Sequence, residues 1–190
     1  SDQISRAEID ELFDSYGADF IMQEKLEQHE AMARLNPDSV NTIRILTFLH
    51  DDQVHVLSAC IRIGGSGSEV DNCSQGGFCF TISREGSTVY RGYTHVGGKW
   101  KYTDLLPTGE KSEGFSVPGY EKAEALARRL AAQTGHFKIL GWDMAIAPDG
   151  EPVLIEYNVI PGQNQEHDGP TFGELTEDVL AEVFGRAAPL

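Results

Sequence analysis

The segment Gly141–Gly162, GWDMAIAPDGEPVLIEYNVIPG, predicts a β-hairpin. Two apolar and partly alternating runs, Ile139–Ala147 and Pro152–Asn158, lie on either side of the dipeptide Asp149-Gly150. An Asp-Gly pair between two such runs is a strong signal for a tight hairpin turn. We therefore expect two neighbouring antiparallel strands joined by a two-residue loop.

A two-residue loop determines which side chains share a face of this hairpin. Asp143 then lies opposite Glu156, with Cβ atoms about 5 Å apart, and Asn158 lies on the same face. A three-residue Pro-Asp-Gly turn would shift the register by one residue and mix these polar side chains with apolar ones. The pattern favours the first register, because it gathers on the opposite face an apolar set suited to packing under helices: Trp142, Met144, Ile146, Val153, Ile155 and Tyr157.

The polar face of the hairpin predicts a cation site. Two carboxylates that face each other repel unless a cation or a proton lies between them. Magnesium prefers oxygen ligands, usually one or two carboxylates completed by phosphate and water, whereas calcium would need more protein oxygens. Asp143, Glu156 and the amide oxygen of Asn158 supply such a partial set for Mg²⁺. The alternative is a solvated hairpin face with scattered acids.

The same residues carry a resemblance to a known superfamily. The pattern D-x12-E-x-N followed by P-G resembles the metal-binding signature of ATP-grasp enzymes. Four further elements are similar, in order, to those of the sugar-transfer-associated ATP-grasp family: QEKLEQH (23–29), VNTIR (40–44), DNCSQGG (71–77) and GWDMA (141–145). The similarity extends over nearly the whole chain, and the combined order of the motifs is more specific than any single one.

The resemblance implies an ATP site. Its adenine would be held by the backbone of an expected strand, Asp19–Leu26, with Glu27 or His29 near the ribose. The residues expected to contact the nucleotide are Gln23, Glu24, Lys25, Leu26 and Glu27. The expected catalytic residues are Arg44 and Arg62, which would contact the phosphates, and Asn72, which would orient a phosphate or an acceptor.

The resemblance also implies a reaction and a missing partner. ATP-grasp ligases use Mg²⁺ and ATP to join a carboxylate to an amine or related nucleophile through an acylphosphate. They usually place two lysines and a phosphate loop in a domain that precedes the hinge strand, and few residues precede that strand here. We therefore expect the C-terminal half of such an enzyme, inactive when isolated, with an N-terminal half and a small-molecule acceptor as partners. The alternative is a non-catalytic module whose acidic sheet face holds a divalent cation or a protein.

Length and composition predict one domain over residues 1–190, and its expected strands and helices, with the resemblance, make that domain α+β. We expect a largely antiparallel sheet with helices on one face and the nucleotide on the other, as in the C-terminal subdomain of an ATP-grasp fold. The capping box Ser5–Glu8 begins a lead-in helix within residues 1–17, which should pack against the sheet. Residues 64–77 form a glycine-rich loop. The irregular residues 94–117 are either a flap over the acceptor or a surface loop.

Charge and hydropathy exclude several partners. A formal net charge of −15 disfavours nucleic acid, which needs clustered Lys and Arg. It also repels ATP, so that Mg²⁺ and the two arginines must reverse the field locally. The sequence has neither a membrane-spanning apolar run nor a signal-peptide pattern, which predicts a cytoplasmic protein with no membrane partner. Its three cysteines lack C-x-x-C spacing and are expected to be buried or reduced.

Overall fold

The fold is taken from a computed structural model, which describes residues 4–21, 23–65, 67–68, 71, 73, 76–83, 87–162 and 170–185. Within these residues the strands are β1 (Thr42–His50), β2 (Gln53–Ile63), β3 (Phe78–Ile82), β4 (Val89–Val96), β5 (Lys99–Thr103), β6 (Ile139–Ile146) and β7 (Pro152–Asn158). The helices are α1 (Arg6–Tyr16), α2 (Glu30–Ala33), α3 (Tyr120–Gln133) and α4 (Thr176–Phe184). The strands form one antiparallel sheet in the order β5-β4-β3-β2-β1-β6-β7. The predicted α+β class is confirmed.

The two faces of the sheet are covered differently. Helix α3 packs over the first face through Tyr120, Ala123 and Ala127, which join a core of strand residues including Ile43, Ile45, Ile61, Phe80, Trp142 and Met144. Helix α4 covers one end of the second face, where Val179 joins Leu46, Phe48 and Leu57. Because side chains alternate along a strand, the neighbours of Ile43 and Ile45 on β1, including Arg44, point to the second face.

The lead-in helix forms as expected but does not pack as expected. Its capping box is present, since the amide of Glu8 donates to Ser5 Oγ (3.3 Å) and the amide of Ser5 donates to Glu8 Oε2 (2.8 Å). However, every side chain of α1 is at least partly exposed, so the predicted packing against the sheet is wrong. The aromatic rings of α1 instead contact Phe20, which lies 5.3 Å from Phe13 between ring centroids.

The expected strand Asp19–Leu26 is also wrong, because the described residues of this stretch are irregular. Both edges of the central strand β1 are already paired, to β2 and to β6. The polar run Gln23–Lys25 also lacks the alternating apolar side chains that would bury one face of a strand.

The turn of the β6–β7 hairpin differs from the prediction. The amide of Ala147 donates to Glu151 O (2.9 Å), and the amide of Gly150 donates back to Ala147 O (2.9 Å). The loop therefore contains three residues, Pro148 to Gly150, rather than two. Gly150 has φ of 81°, the left-handed conformation that ends a three-residue hairpin loop.

A β-bulge farther along the hairpin restores the predicted register. Met144 pairs with Leu154, whereas the preceding residue Asp143 pairs with Glu156. Ile155 is therefore the extra residue on β7. The predicted pairing of Asp143 with Glu156 is confirmed, although the register between the bulge and the turn is the competing one.

The bulge and the position of β7 at the sheet edge also affect the predicted apolar face. Trp142, Met144 and Ile146 of β6 are buried as expected. Ile155 and Tyr157 of β7 are each 49% exposed, so the expectation that they lie under helices is wrong.

Part of the expected irregular segment 94–117 is regular. Strands β4 and β5 form a hairpin through Gly97 and Gly98, both with positive φ. The irregular stretch begins only after β5 and continues to α3.

Candidate functional site

The central feature of the second sheet face is an ion pair between adjacent strands. Arg44 on β1 pairs in register with Asp143 on β6. The Nε and Nη2 atoms of Arg44 donate to the two carboxylate oxygens of Asp143. The two side chains are only 10% and 4% exposed. This is the bidentate geometry that makes charge-assisted hydrogen bonds strong and directional.

A second arginine extends this pair into a network. Arg62, on β2, donates from Nη1 to Asp143 Oδ2 (3.1 Å) and lies 3.2 Å, through Nη2, from Asp71 Oδ1. Asp71 in turn accepts a hydrogen bond from the hydroxyl of Thr42. Three strands and the glycine-rich loop thus meet in one chain of polar contacts.

The network keeps both guanidinium groups charged. Burial alone would lower the pKa of Arg44, but the hydrogen bonds and the charge of Asp143 raise its pKa overall. The pKa of Arg62 is also raised, because the charge of Asp71 helps to outweigh burial and the repulsion from Arg44. Burial raises the pKa of Asp71, and Arg62 and Thr42 counteract part of that effect.

The donor set predicted for magnesium is brought together only in part. Glu156 lies opposite Asp143 but is exposed, and Asn158 Nδ2 lies 3.4 Å from Glu156 Oε1. Two carboxylates and an amide oxygen suit Mg²⁺ chemically. In the described ranges, however, no three His, Cys, Asp or Glu side chains are placed to share a metal, and Asp143 is engaged by arginines. Asp143, Glu156 and Asn158 fit Mg²⁺ when Asp143 gives up a hydrogen bond to a guanidinium group and binds the ion instead.

The segment predicted to hold adenine borders a cleft of about 430 Å³. Its lining includes Lys25, Leu26 and Glu27 on one side and Pro37 to Val40 on the other. Leu26 is half-buried, whereas Gln23, Glu24, Lys25 and Glu27 are exposed. The volume lies within the range of small-molecule sites. Asn72, the third predicted catalytic residue, lies outside the described residues.

Two of the sequence motifs brace each other. Gln28 Nε2 donates to Ser39 O (2.6 Å), and the amide of Asn41 donates to Gln28 Oε1 (2.9 Å). Asn41 Nδ2 donates further to Met32 O (2.8 Å) and Asn36 O (2.9 Å). The motifs QEKLEQH and VNTIR therefore fix the wall of the cleft against the start of β1.

The thiols are free and buried, as the sequence predicted. The Cys60 and Cys79 sulfurs lie 3.2 Å apart, and Cys73 and Tyr93 complete their cluster. The hydrogen bond that Cys73 donates to Cys79, together with burial, raises the pKa of Cys73. Because buried thiols are inert unless their pKa is lowered, the burial of these side chains indicates a structural role.

The sequence as a whole matches a family model. The model of the sugar-transfer associated ATP-grasp family aligns with residues 10–166, well over half of the chain. The chain belongs to the sugar-transfer associated ATP-grasp family. The resemblance of its motifs is thereby confirmed, and an ATP-dependent, ligase-like function is the general expectation for this ATP-grasp chain. No curated protein and no solved structure matches it.

Two residues of this ion-pair network were missed in the sequence. Thr42 lies two residues before Arg44 on β1, and the alternation of a strand was sufficient to place both on one face. Asp71 directly precedes Asn72 in DNCSQGG, but no local pattern indicates that it would reach Arg62.

None of the helices that the structure describes combines the length and the hydropathy needed to span a membrane.

Proposed function

We propose that this chain is the metal- and nucleotide-binding half of a magnesium- and ATP-dependent carboxylate–amine, or related, ligase. One observation carries the proposal. The buried Arg44 and the partly buried Arg62 converge on Asp143 on the sheet face opposite α3, and Asp143 is paired in register with Glu156. Membership of the ATP-grasp family supports ATP as the nucleotide.

The proposed reaction has two steps. A carboxylate oxygen of the acceptor attacks the γ-phosphorus of ATP, so that an acylphosphate forms and ADP leaves. An amine or related nucleophile then attacks the acyl carbon, and inorganic phosphate leaves. Neither step requires a side-chain nucleophile, so positioning and charge neutralisation supply most of the catalysis.

The residues of this chain would divide the work. Asp143, Glu156 and Asn158 would hold magnesium, which supplies charge neutralisation on the phosphate oxygens when bound. Arg44 and Arg62 would bind the phosphates and offset the negative charge of the transferred group. The backbone around Gln23–Glu27 would hold adenine at the edge of the cleft. Asn72 would orient a phosphate or the acceptor.

Nucleotide titration of a Glu156→Gln variant tests the proposal. We expect the magnesium-dependent part of ATP binding to be lost, with little change in folding, because the exposed Glu156 carries no ion pair in the described contacts. Glu151→Gln is the matched control, since Glu151 lies on the same hairpin but pairs with Lys122. An ATP titration that is the same in Glu156→Gln and the wild type would contradict the metal assignment.

A second candidate is a non-catalytic module that binds a protein partner. The observation in its favour is the outer side of β7, with which no strand of the described ranges pairs and where Leu154, Ile155 and Tyr157 are 38%, 49% and 49% exposed. Unpaired strand edges are surfaces on which other chains add strands. A wild-type chain that shows no magnesium-dependent ATP binding in calorimetry would favour this function over the ligase.

A further inference from the structure

Among the residues that the structure describes, the ion-pair network of the site is closed on itself. Its charged members are two arginines, Arg44 and Arg62, and two aspartates, Asp71 and Asp143, so that their formal charges cancel. Asp143 Oδ1 accepts from Arg44, and Asp143 Oδ2 accepts from both arginines. A metal ion needs these carboxylate oxygens, and a phosphate needs these guanidinium groups. Each class of ligand therefore meets groups that are already neutralised.

We propose that this network is a mutual lock, which makes the binding of a divalent cation and of a polyphosphate depend on each other. The inference rests on the proposed function and concerns how the same site is regulated. A cation that takes Asp143 frees the arginines, and a polyphosphate that takes the arginines frees Asp143. Bound together, the two ligands exchange the ion pairs of Asp143 for new ones, whereas either ligand alone leaves a buried charge without its partner.

Asp71 makes such an exchange possible without loss of Arg62. It holds the Nη2 side of the guanidinium at 3.2 Å, while the Nη1 side reaches Asp143 at 3.1 Å. Thr42 on β1 fixes the second oxygen of Asp71. Arg62 can therefore release Asp143 and remain in the site, which assigns Asp71 the role of a positioning residue.

The lock predicts an unusual response to the removal of one arginine. In Arg62→Gln, Asp143 loses one of its two cationic partners, so it should bind a metal ion more readily. The same variant offers one guanidinium fewer to a phosphate. Metal affinity should therefore rise while polyphosphate affinity falls, whereas a merely structural role for Arg62 would lower both.

Single-ligand titrations of the 190-residue chain test this prediction. Mn²⁺ binding is measured from the electron paramagnetic resonance signal of free Mn²⁺, and inorganic tripolyphosphate binding by calorimetry in EDTA. We expect Arg62→Gln to bind Mn²⁺ at least about fivefold more tightly and tripolyphosphate at least about fivefold more weakly, at the lower end of usual coupling factors. Arg128→Gln, on α3, makes the same change in net charge away from the network, and both affinities should stay near those of the wild type.

Two further variants keep the outcomes separate. Arg62→Lys keeps the charge but loses the planar guanidinium that joins two carboxylates. As in Arg62→Gln, its Mn²⁺ affinity should rise and its tripolyphosphate affinity should fall, but by smaller factors. This variant keeps the prediction testable if Arg62→Gln fails to fold. Mn²⁺ affinity that is unchanged or lower in the Arg62 variants would overturn the lock, while magnesium-dependent ATP binding by the wild type would leave the proposed function standing. Wild-type Mn²⁺ binding that is unaffected by Glu156→Gln would instead remove the proposed function, and the lock with it.

Discussion

Arg44 on β1 and Asp143 on β6 face each other, and the guanidinium group donates hydrogen bonds to both oxygens of a carboxylate that is almost fully buried. The two residues lie far apart in sequence and belong to two different motifs, VNTIR and GWDMA. Their contact joins the motif expected to bind phosphate to the motif expected to bind metal. It is also a source of structural cooperativity, because either side chain alone would be a buried charge.

The first prediction concerns the stability of this pair. Arg44→Met should lower the free energy of unfolding by about 3–5 kcal/mol, because it leaves Asp143 buried with a single cationic partner. Combining it with Asp143→Leu should recover part of that loss, since an apolar pair replaces both charges. Urea denaturation gives the free energies of unfolding of Arg44→Met, of Asp143→Leu and of the double variant. Arg34→Met, at an exposed pair with Glu30, is the control and should change stability little. A double variant as unstable as the sum of the single ones would refute the coupling.

The second prediction concerns Asn41, which is fully buried and hydrogen-bonded at both ends of its amide. Asn41→Asp keeps the shape of the side chain but directs a carboxylate oxygen at two backbone carbonyls. We expect a loss of at least about 3 kcal/mol in the free energy of unfolding at neutral pH, because a buried charge is left unpaired. The same exchange of amide for acid at the exposed residue Gln53 is the control. Equal thermal stability of Asn41→Asp and Gln53→Glu would show that the hydrogen bonds of Asn41 do not stabilise this part of the fold.

The third prediction concerns Gly92 on β4, which is paired with Phe80 on β3. A Cβ atom at this position would lie 2.3 Å from the Phe80 ring. Gly92→Ala should therefore destabilise the fold by about 1–3 kcal/mol through overpacking. Adding Phe80→Leu should cost less than the sum of the two changes, as contacting residues are not additive. Gly135→Ala, whose Cβ would meet its nearest atom at 3.8 Å, is the control for thermal denaturation.

The fourth prediction concerns stability at alkaline pH. Burial, aided by the charge of Glu124, raises the pKa of Tyr120 above its ordinary value of 10.0. Above about pH 10, the unfolded chain therefore releases a proton that the folded chain retains, and the free energy of unfolding falls as pH rises. Tyr120→Phe removes this contribution, so its stability should decline less than that of the wild type between pH 8 and 10.5.

Urea denaturation at the two pH values measures this difference. Tyr102→Phe, at an exposed ring, is the matched control. If the wild type and Tyr120→Phe lose the same free energy of unfolding over this interval, the assigned effect of Tyr120 is wrong.

Much of the local structure could be predicted from the sequence because it depends on nearby residues. The capping box at Ser5, the hairpin around Gly150 and the pairing of Asp143 with Glu156 each follow from contacts over short separations or from the alternation of side chains. The predicted two-residue loop was wrong because the prediction assumed one uniform register along the hairpin. The chain forms a three-residue loop, and the bulge at Ile155 then brings Asp143 opposite Glu156. A hairpin without the bulge could not combine this loop with this pairing.

The packing of the amphipathic helix α1 could not be predicted in the same way. Its pattern of Ile9, Leu12, Phe13 and Tyr16 indicates an apolar face but not what that face contacts. The sheet face that α1 was expected to cover is occupied by α3, and the rings of α1 contact Phe20 instead.

The sequence by itself determined the family of this protein and its strand-rich α+β class, and it supplied the residues of the proposed site. It did so because motifs, capping signals and side-chain alternation depend only on residues that are close together in the sequence. Only the tertiary structure determined that Arg44, Arg62, Asp71 and Asp143 form one neutral network. That network depends on the pairing of β1 with both β2 and β6 and on the path of the glycine-rich loop. Pairing between distant strands is selected by the packing of the whole sheet, so no local pattern specifies it.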